Sequence, residues 1–265
     1  MHQKRIDFTL DLVKKAGENI RTLMSQDLEI ETKSSDSDFV TNVDKQTEIF
    51  LVKKIQNEYE NQDFLTEENT TPRQDSKQLW IIDPIDGTTN FIFQRKNFAI
   101  SIAYYEDKKP VFGIVYDVMN DDLYLGITGK GATLNGKKLE VKDPTLNLKN
   151  SIVCADYATL SLFPQGAKHF MESVLTQRYL GSAAIEICMV AKGDAHAYVS
   201  KSLNVWDVAA GVIILNEAGG TFFFGGHGDD IYYHDAGGVF ISAQTLTIKN
   251  ELENMMDSAC LQEFL

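Results

Sequence analysis

The apolar run Leu79-Trp80-Ile81-Ile82 stops abruptly at Asp83-Pro84-Ile85-Asp86-Gly87-Thr88-Thr89. A short apolar run bounded by turn residues suits a buried strand, and this one ends in two carboxylates around a rigid turn. Pro84 restricts Asp83 to extended backbone, so both acids can point into one cleft with the Ile85 carbonyl beside them. That is the oxygen set a hard cation such as Mg²⁺ takes. Gly87-Thr88-Thr89 then reads as the first turn of a short helix, whose free N–H groups suit an anion. Asp-Pro-x-Asp-Gly is also a serviceable turn by itself, so the rest of the chain has to decide.

Length and charge narrow the choice. The 265 residues, 43% hydrophobic and 24% charged, allow a large core in one domain or in two lobes sharing an interface. A formal charge of −13 argues against nucleic acid, which binds clustered Lys and Arg, and against a membrane surface. An anionic substrate remains possible where bound cations supply the local positive charge. The charged N-terminal segment lacks an apolar signal core, and no stretch reaches the ~18 apolar residues of a span; the expected location is cytoplasmic. Cys154, Cys188 and Cys260 are odd in number and widely spaced, which predicts buried, reduced, inert thiols.

Apolar residues Ile6, Leu10, Val13, Ile20 and Leu23 predict an amphipathic first helix. A second is expected from Asp44, as N-cap, towards Tyr59, burying Ile49, Val52 and Ile55. The polar stretch Thr32–Asn42 between them reads as loop. Strands at Phe98–Tyr104, Val111–Val118 and Asp122–Ile127, joined at Lys108-Lys109-Pro110 and Asn120-Asp121, make an antiparallel meander, with a further turn at Asn135-Gly136. Lys142–Asn150, with Pro144, is the expected boundary between an N-terminal lobe (1–145) and a C-terminal lobe (146–265). The second lobe should hold strands at Ile152–Cys154, Ala195–Val199, Phe222 and Val239–Ser242, and helices at Ala184–Ala191 and Trp206–Ala218. The expected class is α/β in layers rather than a doubly wound sheet. Gly129-Lys130-Gly131 lacks nucleotide-loop spacing and reads as a hairpin turn. His227 and His234 lack zincin spacing.

Three further segments bear on the aspartates: Thr66-Glu67-Glu68, Trp206-Asp207-Val208-Ala209-Ala210-Gly211 and Glu217-Ala218-Gly219-Gly220. Singly, Glu67 suits a solvated loop, Asp207 a helix first turn and Gly219 a helix end. With Val40-Thr41-Asn42-Val43-Asp44 and Gly181-Ser182-Ala183-Ala184, their order and spacing resemble the inositol monophosphatase family of lithium-sensitive, magnesium-dependent phosphatases, over about Lys33 to Gly220. The resemblance implies a five-layered αβαβα sandwich of the inositol monophosphatase and fructose-1,6-bisphosphatase type, commonly a homodimer, that hydrolyses phosphate monoesters.

Carried over residue by residue, the resemblance makes Glu67, Asp83, Asp86, Asp207 and the Ile85 carbonyl metal ligands for two or three Mg²⁺ ions, a site open to Li⁺ competition. Crowded carboxylates favour the same grouping, since like charges hold protons unless cations compensate them. Thr88 would orient an attacking water, Asp44 would receive the threonine's proton and Glu67 would assist. Gly87, Thr88, Asp86, Ser182, Ala183, Ser200 and Asp207 would contact substrate, and Lys33 would at most screen or steer. Two positions depart from the pattern. Ser200 stands seven residues before Asp207, where close animal relatives have a ring-binding glutamate, and Thr66 stands where many relatives have glycine. Losing a charged hydrogen bond costs about 1.5–3 kcal/mol, so a tolerant pocket is expected. It should take inositol monophosphate and also the 2′-phosphate of NADP. The alternatives are fructose bisphosphatase or NADP phosphatase as main activity, or a non-catalytic metal- or phosphate-binding regulator.

Overall fold

The computed structural model describes residues 2–26, 28–32, 39–74, 76–141, 143, 145–225 and 237–256. Lys33, Lys142, Pro144, His227, His234 and Cys260 lie outside them. Helix α1 (His2–Leu23) leads through a two-stranded ribbon, β1 (Ile30–Thr32) and β2 (Phe39–Thr41), into α2 (Asn42–Glu58). Then follow β3 (Asp63–Thr66), β4 (Gln78–Asp86), the short α3 (Thr88–Phe93), β5 (Ala99–Glu106), β6 (Lys109–Asp117), β7 (Asp122–Ile127), β8 (Gly131–Leu134) and β9 (Lys137–Leu139). These seven strands form one sheet in chain order, antiparallel except for the parallel β3–β4 pair. The second half adds β10 (Ile152–Cys154), α4 (Gly166–Ser173), β11 (Thr176–Arg178), α5 (Ala183–Lys192), β12 (Ala197–Leu203), α6 (Val205–Glu217), β13 (Thr221–Phe224), β14 (Gly238–Ala243) and α7 (Leu246–Met255). Its sheet runs β11-β10-β12-β14-β13.

Three apolar clusters explain the stacking. One joins α1 and α2 to one face of the large sheet through Ile20, Leu51, Trp80 and Tyr104. A second fills the space between the two sheets with α5 and α6, through Val115, Ile187, Ile214 and Phe240. A third sets α4 and α7 against the outer face of the smaller sheet, through Phe170, Ile241 and Ile248. The layers are therefore αβαβα. Helix α6 is almost wholly buried, and it lies so close to the large sheet that a Cβ on Gly113 would fall 2.5 Å from the Ala210 carbonyl oxygen.

Local details correct four expectations. Helix α2 begins at Asn42 with Thr41 as its cap; Asp44 is its third residue and returns a bond to the Thr41 amide at 3.0 Å. The Thr-x-x-Asp spacing makes a capping box, which satisfies two backbone donors where an Asp44 cap would satisfy one. The buried face runs through Val43, Thr47, Leu51, Val52 and Ile55, as expected for the last two, and Ile49 lies off it, exposed at 38%. The expected loop Thr32–Asn42 has strand at both ends, with Thr32 opposite Phe39 and Thr41 opposite Ile30. The first hairpin turns at Asp107-Lys108, at φ 49° and 66°, so that Lys109 and Pro110, expected in the turn, open β6 instead; the later ones fall as expected, and Asn135 and Gly136 both have positive φ, 49° and 77°, as a two-residue I′ turn requires. Cys154 and Cys188 are buried and unpaired, and burial pushes the Cys154 thiol up to about 12.

Candidate active site

Separate elements deliver the acids to one cleft of about 300 Å³. Strand β4 slips register against β5 between Asp83 and Asp86, and within that step the Ile85 amide donates to Asp83 Oδ1 at 2.9 Å. The Ile85 side chain is buried in the outer core, while its carbonyl oxygen lies 3.2 Å from Thr88 Oγ1. Asp207 is the third residue of α6, and its Oδ2 accepts the Asn204 amide at 2.7 Å. One oxygen each from Asp83, Asp86 and Asp207 lie within 4.8 Å of one another. Glu67 leaves the end of β3, continues its ladder through its own amide to the Ile82 carbonyl at 3.2 Å, and lines the same cleft.

Asp86 is held by the start of α5. Ser182 Oγ and the Ala184 amide (2.8 Å) donate to its Oδ2, and the Ala183 amide donates to Oδ1 at 3.3 Å. Ser182 and Ala183, expected as substrate contacts, line the cleft with their donors engaged on this carboxylate. Gly87 joins β4 to α3 at φ 95°, and a Cβ there would meet the Asn97 and Gly181 carbonyl oxygens at 3.0 and 3.2 Å. Only glycine suits that conformation and space. It leaves the first amides of α3 facing outward from the helix start without intrahelical partners.

Thr88 Oγ1 donates to Asp44 Oδ1 at 3.1 Å, and the other oxygen of Asp44 accepts from Thr41 Oγ1. The capping and proton-accepting readings of Asp44 thus occupy different oxygens. Burial pushes Asp44 up to about 6, with the Glu67 charge adding to the rise and the Thr41 and Thr88 hydroxyls opposing it. Burial likewise pushes Asp86 up to about 6 against the pull of Ser182 and Ala184. Asp83 is driven well up by burial first and then by the charges of Glu67, Asp86 and Asp207. No Lys or Arg lines the cleft among the described residues. Buried acids so placed fit divalent cations, the charge compensation that cationic side chains would otherwise supply.

Several residues here escaped the sequence reading. Glu48 on α2 is fully buried and accepts from Thr66 Oγ1 (2.8 Å), the Glu68 amide (2.8 Å) and the Thr70 amide (2.8 Å), tying down the loop that carries Glu67. Thr66 in place of glycine is thereby accommodated. Asn90 donates to the Leu180 and Gly181 carbonyls at 2.7 and 3.2 Å and fastens α3 to the segment before α5. Asp156, Tyr179, Glu186, Tyr198 and Ser202 complete the wall beside Ser200. Their signal was weak, since each sits in a segment that reads as ordinary strand, loop or helix. Glu217 lies elsewhere, its carboxylate bonding the Gly129 and Gly131 amides at 2.8 and 2.7 Å.

The inositol monophosphatase family pattern matches residues 1–259. The chain belongs to that family. The inositol-1-monophosphatase of Bacillus subtilis (strain 168) is 39% identical over 215 residues, 79% of this chain and 81% of its own. The crystal structure of SaIMPase-II bound to inositol monophosphate superposes with a TM-score of 0.83 at 33% identity, covering 97% of this chain and 95% of that one. Structures of an IMPase/NADP phosphatase, one with NADP and Ca²⁺ and one with Mg²⁺ and phosphate, both give a TM-score of 0.87 at 26% identity, covering 97% of this chain and 97% and 96% of theirs. As a family member the chain is a metal-dependent phosphoric monoester hydrolase. No helix among the described residues is long and apolar enough to cross a membrane.

Proposed function

We propose that this phosphatase uses Mg²⁺ to hydrolyse inositol monophosphate and tolerates other esters, including the 2′-phosphate of NADP. The observation that carries the reading is the convergence of Asp83, Asp86 and Asp207 oxygens within 4.8 Å beside the Thr88–Asp44 pair. Glu67, Asp83, Asp86, Asp207 and the Ile85 carbonyl would hold two or three ions. When bound, Mg²⁺ neutralises these acids, polarises the phosphate and makes water nucleophilic.

The chain's own groups do the rest. With its proton committed to Asp44, Thr88 Oγ presents lone pairs that orient the attacking water, and Asp44 takes the proton passed along that bond. Glu67, in the same cleft, assists in holding the water. The Gly87 and Thr88 amides donate to the phosphate oxygens at the start of α3, fixing phosphorus in line with the water. Ser200 gives the organic part a neutral hydroxyl. The test is inorganic phosphate release from a panel of monoesters: inositol monophosphate and NADP should both be cleaved with Mg²⁺, and chelator should abolish both. Full activity in excess chelator would refute the reading.

The acids also predict how metal and pH act on stability. Asp44, Asp83 and Asp86 have folded pKa values above their unfolded ones, so between about pH 4 and 6 the folded state binds more protons and metal-free stability falls as pH rises. For Asp86 alone, a rise from 3.8 to about 6 corresponds to on the order of 3 kcal/mol. Mg²⁺ displaces those protons and offsets the loss. Thermal melts should show a small Mg²⁺ stabilisation at pH 5 that grows through pH 6 to 7.5. A Mg²⁺ increment independent of pH would contradict this account of the site.

A further inference from the structure

Glu186 takes no part in the chemistry described above. It lies in the first turn of α5 and is fully buried, yet it forms part of the cleft wall. Its Oε1 accepts the Leu180 amide at 2.9 Å, whereas its buried Oε2 has no hydrogen-bond partner. Leaving a buried carboxylate oxygen unmatched is costly unless a partner arrives with the ligand. The neighbouring wall is polar, made of Asp156, Tyr179, Tyr198, Ser200 and Ser202. Among the described residues it offers mainly hydroxyls and acids, with the large aliphatic side chain of Leu203 beside them.

We propose that Glu186 is a specificity-determining residue whose free oxygen receives a hydroxyl of the substrate's organic part, so that the cleft selects polyhydroxylated phosphate monoesters. The inference rests on the phosphatase reading and names the substrate class for it. A hydroxyl is the apt partner because it both donates and accepts. Burial pushes Glu186 up to about 7, and a hydroxyl pairs with either of its protonation states. An ammonium would pair only with the ionised form. Oε1, bonded to the Leu180 amide, fixes the carboxylate.

The experiment compares inositol monophosphate with cyclohexyl phosphate, which keeps the ring and lacks its hydroxyls. In Mg²⁺ the wild type should prefer the inositol ester in kcat/KM by more than about tenfold, and Glu186→Gln, which keeps the shape and the Leu180 bond, should shrink that ratio by roughly tenfold to a hundredfold. Glu186→Asp, charged but shorter, should retain part of it. A wild type without preference overturns the proposal whether or not the variants fold, and so does a glutamine variant that slows both esters by one factor. Calorimetric binding of the two esters in Ca²⁺ is measured in parallel. If the wild type cleaves neither ester, the phosphatase reading falls, while a hydroxyl preference in binding that Glu186→Gln removes still upholds the role of Glu186, and no such preference overturns it.

Discussion

Replacing Asp86 by asparagine is expected to lower Mg²⁺-dependent phosphate release by about two to three orders of magnitude, some 3–4 kcal/mol of barrier, in a protein that still folds. Asp86 is the acid on which the site's elements converge: it ends β4, meets Asp83 and Asp207 within 4.8 Å, and takes three donors from the start of α5. Asparagine keeps an oxygen for the Ala184 amide but places an NH₂ group where a ligand oxygen is needed, and it removes one negative charge from the cation site. The fold should tolerate the change because burial already disfavours the ionised form, pushing Asp86 up to about 6. A neutral side chain is spared that cost at neutral pH, which offsets the lost attraction to the helix N-terminus. In chelator at pH 7.5 the variant should therefore melt near or above the wild type, and it should lose most of the Mg²⁺ increment. Activity within tenfold of wild type at saturating Mg²⁺ would remove Asp86 from the metal site.

The β4 turn was legible because an apolar run, a proline and two acids each constrain the same few residues. Its glycine was legible for the same reason, since φ 95° at Gly87 leaves few alternatives. Helices α1 and α6 followed from long apolar patterns. What the sequence hid depends on partners far along the chain. Glu48 looks like a solvated helix acid until the fold brings Thr66 and Thr70 onto it from 18 and 22 residues away. Glu186 looks the same until its own loop folds back to bond Leu180. The start of α2 is ambiguous in the sequence because Asp44 and Thr41 are both good caps, and the box they form together outcompetes either alone. Short elements such as α4 (Gly166–Ser173) and β11 (Thr176–Arg178) went unread because so few residues cannot display a period. The same lack of local pattern concealed the cleft wall at Asp156, Tyr179 and Tyr198, whose residues meet only when β10, β11 and β12 pair.

Removing the Thr88 hydroxyl tests the proton path in isolation from the metal site. In Thr88→Ala the carboxylate of Asp44 loses its 3.1 Å donor and the attacking water loses its acceptor, while the backbone amides at the start of α3 and the acids around Asp83 stay in place. General-base assistance of this kind is worth about 10²–10⁴-fold, so kcat should fall within that range. KM for the ester should shift by less than about threefold, since the phosphate is held by amides and cations that the substitution does not touch. Thr88→Ser restores the oxygen on a freer side chain and should recover activity to within about tenfold of wild type. The acid limb of the wild-type pH profile should lie above the ordinary carboxylate range, because burial raises Asp44; below that limb, where Asp44 holds a proton, the rate falls, and above it the rate levels. In Thr88→Ala that limb should flatten, because the residual reaction no longer passes through Asp44. A variant that loses KM rather than kcat, or a serine variant no better than alanine, would mean that Thr88 supports the α3 turn and leaves water activation to other groups.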